Sequence, residues 1–473
     1  MKPAFPMPLA AALGASLLAA CTVGPDYQRA DAPVPAAYKE QPPEGWKTSK
    51  PQEAGGGAWW AIYGDPVLDG LERQVEVSNQ TLKASEAAFR QAEAVLREAR
   101  ASFFPTLGVN AGASRARSST SRLTQNQFSL AADAGWAPDV WGRVRRLVES
   151  DSASAQASSG DLASARLSAQ ALLAQDYFEL RIADELQRLL DETVAAYTKS
   201  LQITRNRYTV GVAAKSDVVT AETLLQNTMA QAVNVGVQRA QLEHAIAVLT
   251  GHAPADFTLA AAGPGSDVPE VPGGLPSSLL ERRPDIAAAE RRMAASNAQI
   301  GVAIAAYFPS FTLSGSGGYD NSSISKLFNT PSLVWSLGGQ VAETVFDAGL
   351  RSAQVDQARA AYEQSVAEYR QTVLSGLQQV EDQLSAQRIL KQQADVQQQA
   401  VTLAKQAEQL TLNEYKAGIV DYTSVVTAQT TALSTEQNAL TIRQSRLVAS
   451  VTLIEALGGG WDTAQLPGKN QLN

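Results

Sequence analysis

Four short stretches of the chain alternate apolar and polar residues, which is the pattern of a β-strand with one apolar face. They begin near residues 107, 127, 311 and 333. The predicted apolar faces carry Leu107, Val109, Ala111 and Ala113; Phe128, Leu130, Ala132, Ala134 and Trp136; Phe311, Leu313, Gly315, Gly317 and Tyr319; and Leu333, Trp335 and Leu337. With its flanks, each stretch has roughly the ten residues that a tilted strand needs to cross a bilayer. Alternation alone fits a pair of soluble hairpins with one wet face as well.

Long helical segments follow these predicted strands. The chain from about 349 to 415 contains no proline, and Gly376 is its only interior glycine, so this segment predicts one helix of roughly 100 Å. A similar helix is predicted at about 142–208. Moderate helices at about 67–102 and 217–250 together contain nearly as many residues as one long helix. This match in length predicts two short helices stacked end to end beside a long one.

The apolar spacing changes along the second of the long helices. Between Val355 and Leu384 it follows an eleven-residue repeat, which favours nearly straight helix packing. From Ile389 to Leu410 it follows a seven-residue grid, which is left-handed coiled-coil spacing. We therefore expect a broad, straight layer of helices near the strands and a coiled coil towards Gly418. The alternative is an ordinary long coiled-coil protein, for which heptads throughout and no strands would be expected.

The chain contains the same pattern twice. Residues 208–223 and 415–430 share a Tyr, a Gly and the run Val-Val-Thr-Ala at equal spacing. The Phe-Pro pair at 104–105 recurs at 308–309 before the next predicted hairpin. Two copies of one unit indicate internal pseudo-symmetry and an annular or bundled product.

The predicted division of the chain has six parts, in which the arm and the linker are rich in Pro and Gly. They are a signal peptide at 1–20, a lipidated extended arm at 21–64, a first repeat at 65–251 with its β-hairpin at about 105–137, a linker at 252–279, a second repeat at 280–460 with its β-hairpin at about 309–343, and a tail at 461–473.

The first residues resemble the signal of a bacterial lipoprotein. Lys2 precedes a short apolar stretch at 8–20, and small residues lead to Cys21, the only cysteine of the chain. Such a cysteine becomes the first mature residue and carries a covalent diacylglycerol and an N-acyl lipid, which together form a stable anchor. Thr22 stands where an Asp would favour retention in the inner membrane, so the resemblance favours the outer membrane. The alternative is a chance cysteine in an ordinary signal peptide.

Composition narrows the function further. The net charge of −8 disfavours nucleic-acid binding. A single cysteine excludes an internal disulfide, and with two histidines it disfavours a metal site. His244 and His252 flank the end of a predicted helix without a nucleophile motif nearby, so we expect no enzyme and no cofactor besides the lipid.

Several motifs together resemble the TolC family of outer-membrane factors, and within it the NodT-type efflux lipoproteins. The motifs are CTVGPDY at 21–27, PDVWGRVRR at 138–146, FDAGLR at 346–351, two Tyr-x-x-Gly turns and LGGGW at 457–461. The resemblance implies a mixed, mainly α fold: a homotrimer with four strands per chain in a 12-stranded antiparallel outer-membrane β-barrel, continuous with a long periplasmic helical barrel. Four strands alone cannot close a membrane barrel, for which about eight are the minimum.

The resemblance also assigns the two Gly turns as the periplasmic tips of two helical hairpins. The expected adaptor-binding residues are Val210, Gly211, Val212, Ala417, Gly418 and Ile419. The expected gate residues are Tyr415, Asp217, Ser216, Val420, Asp421, Ser424 and Thr427. Relatives place an Arg where this chain has Val420, and Asp residues where it has Ser424 and Thr427. No Arg-based lock is therefore expected here, and Asp421 is a candidate for the acidic ring unless it and Asp217 serve only tip solubility.

The implied function is the outer-membrane channel of a tripartite efflux system. A periplasmic adaptor and an inner-membrane pump, expected to be of the proton-driven RND type, would deliver drugs or other small toxic compounds to a passive exit duct. Two alternatives stay open: a duct for type I protein secretion, and an envelope scaffold without a pore.

Overall fold

The computed structural model is mainly helical, with one four-stranded antiparallel sheet. It describes residues 22–40, 58–117, 124–263, 268–269, 271, 278–468 and 470–472. The predicted signal peptide and Cys21 lie outside the described residues. The helices are α1 (Pro66–Ser78), α2 (Gln80–Ala101), α3 (Arg143–Thr209), α4 (Lys215–Leu249), α5 (Leu279–Arg282), α6 (Pro284–Ala305), α7 (Leu350–Ala417) and α8 (Tyr422–Ala456), and the strands are β1 (Thr106–Arg117), β2 (Thr124–Trp136), β3 (Ser310–Asn321) and β4 (Leu333–Ala342).

The sheet runs β1-β2-β3-β4, and every neighbouring pair is antiparallel. Val109 faces Ala132, and Leu130 faces Tyr319. Because directly paired residues point to the same side of a sheet, the register places all four predicted apolar faces on one continuous surface. The opposite surface is polar, with Ser316 Oγ 2.8 Å from Ser336 Oγ. The four predicted strands and their faces are confirmed.

The helices form a second layer that continues from the strands. Helix α3 packs against α2 and α4 on one side and against α6 and α8 on the other, and α7 packs against α6 and α8. The layer is thus four helices wide, in the order α2/α4, α3, α6/α8, α7, with the shorter helices stacked in pairs. The long helices α3 and α7 contain 67 and 68 residues, or roughly 100 Å each. No helix among the described residues is long and apolar enough to span a membrane.

Asn79 divides the single helix that the sequence predicted at about 67–102. Its backbone is extended, and its side-chain oxygen accepts from the amides of Thr81 and Leu82, 2.9 and 3.1 Å away, which caps α2. Its Nδ2 donates to the carbonyl of Leu249 at the end of α4, at 2.9 Å. One asparagine therefore begins α2 and fastens it to the end of α4.

The second half of the chain builds the same junction with other residues. Arg283 lies between the start of α6 and the end of α8. One of its guanidinium nitrogens donates to the carbonyl of Ala456 at 3.0 Å. A Cβ on Gly251, at φ +77°, would lie 2.5 Å from a carbonyl oxygen of α1, and one on Gly458, at φ +94°, would overlap the carbonyl of Arg282. Gly458 therefore makes in the second half the close contact that Gly251 makes in the first. The end-to-end stacking of the short helices is confirmed.

The described part of the arm, 22–40, lies along α3, α6 and α7. Arg146, which is buried, donates to the carbonyls of Val23 and Gly24 and to Asp26, at 3.1, 3.1 and 2.9 Å. Further along, the carboxylate of Glu381 accepts the backbone amides of residues 39 and 40. The arm begins beside the ends of the strands and follows the helices towards their middle.

Candidate functional site: the paired hairpin tips

Two turns of nearly identical geometry join the long helices to α4 and α8. Gly211 and Gly418 have φ values of +77° and +80°, which L side chains rarely adopt. The amide of Val212 donates to the carbonyl of Arg207, and the amide of Ile419 donates to the carbonyl of Glu414, both at 2.9 Å. These bonds form a Schellman motif at the C-terminus of each long helix, where the chain turns back tightly.

The predicted adaptor-binding residues form the outer surface of these turns. Val210, Val212 and Ile419 are 72, 62 and 73% exposed. The remaining three, Gly211, Ala417 and Gly418, are small and exposed. An exposed apolar patch at the end of two helical hairpins is a typical protein docking surface.

Behind the turns, all four helices contribute to a small hydrophobic core, which we call the tip core. Its buried members are Tyr197, Leu201, Ala221, Leu225, Tyr415, Tyr422 and Val425. The rings of Tyr415 and Tyr422 lie 5.3 Å apart at 60°, and the predicted gate residue Val420 packs against this core. The two hairpins of one chain are therefore packed together at their ends.

Tyr415 takes part in this packing through its ring. The residue is 3% exposed, and its hydroxyl is buried without a hydrogen-bond partner among the described residues. The guanidinium of Arg207 lies over the ring, 4.6 Å from its centroid. A hydroxyl buried within its own chain is out of reach of another chain.

Arg207 is the residue that the sequence reasoning missed. The motif comparison looked for an arginine only at the place of Val420, on the same hairpin as Tyr415. The structure brings one from the other hairpin, where it directly precedes Tyr208 in the first Tyr-x-x-Gly turn. A basic residue in the last turn of a helix was the available signal, because helix C-termini favour cations.

The two predicted acidic residues each cap a helix. Asp217 accepts the amide of Ala214 at 3.3 Å and lies within 3.5 Å of the hydroxyl of Ser216. Asp421 accepts both the amide and the hydroxyl of Ser424, at 2.9 and 2.8 Å. These bonds hold the pKa of Asp421 below its usual value.

Three predicted gate residues line one groove between α7 and α8. The groove has a volume of about 470 Å³ and is bordered by Asp421, Ser424 and Thr427 together with small residues of both helices. The hydroxyl of Thr427 donates to the carbonyl of Thr423 at 3.0 Å, within its own helix. The groove thus presents hydroxyls and one carboxylate where the resemblance places aspartates.

Comparison with known proteins agrees with this geometry. A family model described as Outer membrane efflux protein matches residues 71–252 and 275–459. The chain is 30% identical to the probable efflux pump outer membrane protein TtgC of Pseudomonas putida over 96% of this chain and 95% of that protein. It is 30% identical to Nodulation protein T of Rhizobium leguminosarum bv. trifolii over 81% and 84%. Among solved structures, the outer-membrane channel OprN has a TM-score of 0.85 at 29% identity, covering 93% of this chain and all of that one.

A four-stranded sheet that continues into paired helical hairpins with matching tips defines an outer-membrane efflux channel. The chain belongs to the outer membrane efflux protein family. It is an outer-membrane efflux channel.

Replacing Tyr415 tests whether its ring or its hydroxyl stabilises the tip. We expect Tyr415→Phe to leave tip stability unchanged or slightly higher, since an unpartnered buried hydroxyl is lost. Tyr415→Ala should destabilise the tip core by about 3–5 kcal/mol. Hydrogen exchange at the amides of Gly418 and Ile419 measures both effects. Faster exchange in Tyr415→Phe would show that the hydroxyl is bonded and contradict this account.

Proposed function

We propose that three copies of this chain close into one continuous duct. In each copy, β1 and β4 are the outer strands of the sheet, and among the described residues neither has a strand neighbour on its outer side. Unpaired backbone groups cannot remain in the hydrocarbon of a bilayer, so such edges must pair. Pairing β4 of one copy with β1 of the next gives twelve strands from three copies, above the minimum of about eight for a membrane barrel.

The helical layer supports the same closure. Helix α7 is at one edge of the layer and α4 is at the other. Both carry apolar side chains that their own chain leaves exposed: Ile389, Val396, Leu403 and Leu410 on α7, and Met229, Val233 and Val237 on α4. The α7 residues recur every seven positions, which is the spacing of a coiled-coil seam. In the proposed ring, α7 of one copy packs against α4 of the next.

One observation carries this proposal: among the described residues, the sheet and the helical layer both end in uncovered edges on the two sides of the same chain. A ring of copies would close the sheet in the membrane and the helical layer in the periplasm at once. The product is a passive exit duct that itself catalyses no reaction. We propose that it exports drugs or other small toxic compounds, because its TtgC relative is named as part of an efflux pump.

We further propose that the tips are where the duct receives its cargo. Val210, Val212 and Ile419 would bind a periplasmic adaptor protein, and the adaptor would connect the duct to an inner-membrane pump of the proton-driven RND type. The apolar exposure of all three side chains supports this assignment. The tip core behind them would then separate a closed duct from an open one.

The lipid anchor is proposed on positional grounds. Thr22, the neighbour of Cys21 in the sequence, lies against Gly142, and Val23 donates to the carbonyl of Trp141 at 3.2 Å. Trp141 follows the last residue of β2 by only five positions. Acyl chains on Cys21 would therefore enter the membrane beside the inner ends of the strands, so the protein would be anchored to the outer membrane and extend into the periplasm.

The lipid anchor can be tested by mass. The mature chain purified from membranes should begin at Cys21 and carry the mass of a diacylglycerol and an N-acyl group. Cys21→Ser should abolish the added mass, whereas Thr22→Ser, as a control, should keep it. An unmodified mature chain that begins elsewhere would contradict the proposal.

The seam between copies can be tested with Leu403→Asp. One carboxylate buried in each seam should destabilise the ring by about 3–5 kcal/mol per copy. Gln398→Asp, on another exposed face of α7, introduces the same charge and should be tolerated. Native mass spectrometry of the detergent-solubilised protein should show trimers for the wild type and Gln398→Asp and mainly monomers for Leu403→Asp. Trimers of equal stability in all three would place the seam elsewhere.

The docking partner can be captured in living cells with a photoreactive residue at Ile419. We expect it to crosslink to an adaptor of a proton-driven efflux system, identified by mass spectrometry. An adaptor of an ATP-driven secretion system would instead support type I protein secretion. The same residue at Val345, which is 93% exposed next to the strands, should capture no adaptor. No adaptor at Ile419 would contradict the tip assignment and favour a scaffold.

A further inference from the structure

The tip brings the ends of two long helices together. Helices α3 and α7 both end at the turns, and residues from both lie in the tip core. The C-terminus of a helix carries roughly half a negative charge on its unpaired carbonyls. Two such ends side by side repel each other unless a cation lies between them.

Arg207 is that cation. It lies in the last turn of α3, and its Nη1 donates to the carbonyl of Lys416, near the end of α7, at 3.0 Å. Its guanidinium covers the ring of Tyr415 at 4.6 Å, the geometry of a cation–π contact. A single side chain of the first hairpin thus binds both the backbone and an aromatic ring of the second.

We propose that Arg207 is the clamp that holds the two hairpin tips of each chain together and keeps the duct closed. This inference rests on the duct function proposed above. The arginine replaces, from the opposite hairpin, the one that Val420 cannot supply. It therefore acts within one chain, on the same tip that carries the docking surface.

The clamp is held lightly enough to release. The Nε of Arg207 is buried without a hydrogen-bond partner among the described residues, so one hydrogen bond and one ring contact hold the group. The tip core also contains the hydroxyl groups of Tyr197 and Tyr415, both buried without a hydrogen-bond partner among the described residues. Buried polar groups without partners disfavour the closed packing, because water would bind them in an opened tip. Arg207 opposes that tendency.

The clamp can be tested in planar lipid bilayers with the full-length, lipidated protein. Arg207→Ala should raise the open fraction of single channels roughly tenfold, since it removes a charged hydrogen bond and a cation–π contact. Arg207→Lys should fall between Arg207→Ala and the wild type, because an ammonium keeps the charge but lacks the planar face. In a Tyr415→Leu background the same substitution should have a smaller effect, as expected for residues in direct contact.

Arg205→Ala is the matched control. Arg205 lies two residues earlier on α3 and pairs at 2.6 Å with Glu222 of α4, within its own hairpin. Arg205→Ala removes the same charge without changing a contact to the second hairpin. The open fraction of this variant should therefore equal that of the wild type. The thermal midpoint of the whole trimer should stay unchanged in Arg207→Ala, Arg207→Lys and Arg205→Ala, which separates the clamp from general destabilisation.

The outcomes distinguish the clamp from the duct. Channels that conduct with the same open fraction in Arg207→Ala, Arg205→Ala and the wild type would overturn the clamp and leave the duct standing. A rise of equal size in Arg205→Ala would also overturn it, because tip charge alone would be the cause. A protein that never conducts, as wild type or as any variant, would overturn the duct and the clamp together.

Discussion

The rest of the structure depends on one constraint: the sheet and the helical layer of each chain both end in edges that the described residues leave uncovered. Within the part of the chain that the structure describes, β1 and β4 each lack a neighbour on one side, and backbone groups in lipid have no water to pair with. The helical layer has the same property, with exposed apolar side chains on α4 and α7. Burial of that surface is worth roughly 25 cal/mol per Å². In the proposed ring, closure by further copies would remove both costs at once and would create a continuous wall from the strands to the tips.

The proposed duct requires that the tips lie at a fixed distance from the strands. The junctions at Asn79 and Arg283 provide this, since each fastens a short helix to the end of the next at 2.9 and 3.0 Å. The stacked short helices then run beside most of the roughly 100 Å of α3 and α7. Gly251 and Gly458 allow the close approach that this stacking requires. The position of the tips therefore depends on contacts near the middle of the helices.

Much of this architecture could be predicted from local sequence patterns. Period-two alternation gave the strand faces because paired residues point to the same side, so Val109 and Ala132 had to share a surface. Helix lengths followed from the absence of proline and from the Gly turns. The break at Asn79 was missed, although an asparagine followed by good helix formers is a helix-cap signal, because the apolar pattern continues across it.

Arg207 shows why the site was harder to predict than the fold. Its partners are Tyr415 and the carbonyl of Lys416, more than 200 residues away in the sequence. No periodicity encodes such a contact, and the motif comparison considered one position at a time. Whether Tyr415 stabilises the tip through its ring or through its hydroxyl also depends on contacts between distant residues, which the sequence pattern does not encode.

The most direct test of the central claim is electron cryomicroscopy of the purified full-length protein in lipid nanodiscs. The account predicts a closed ring of three copies, in which β4 of each copy is paired with β1 of the next and α7 packs against the neighbouring α4. A monomer with a free sheet edge in the bilayer, or a ring in which these edges do not meet, would contradict it.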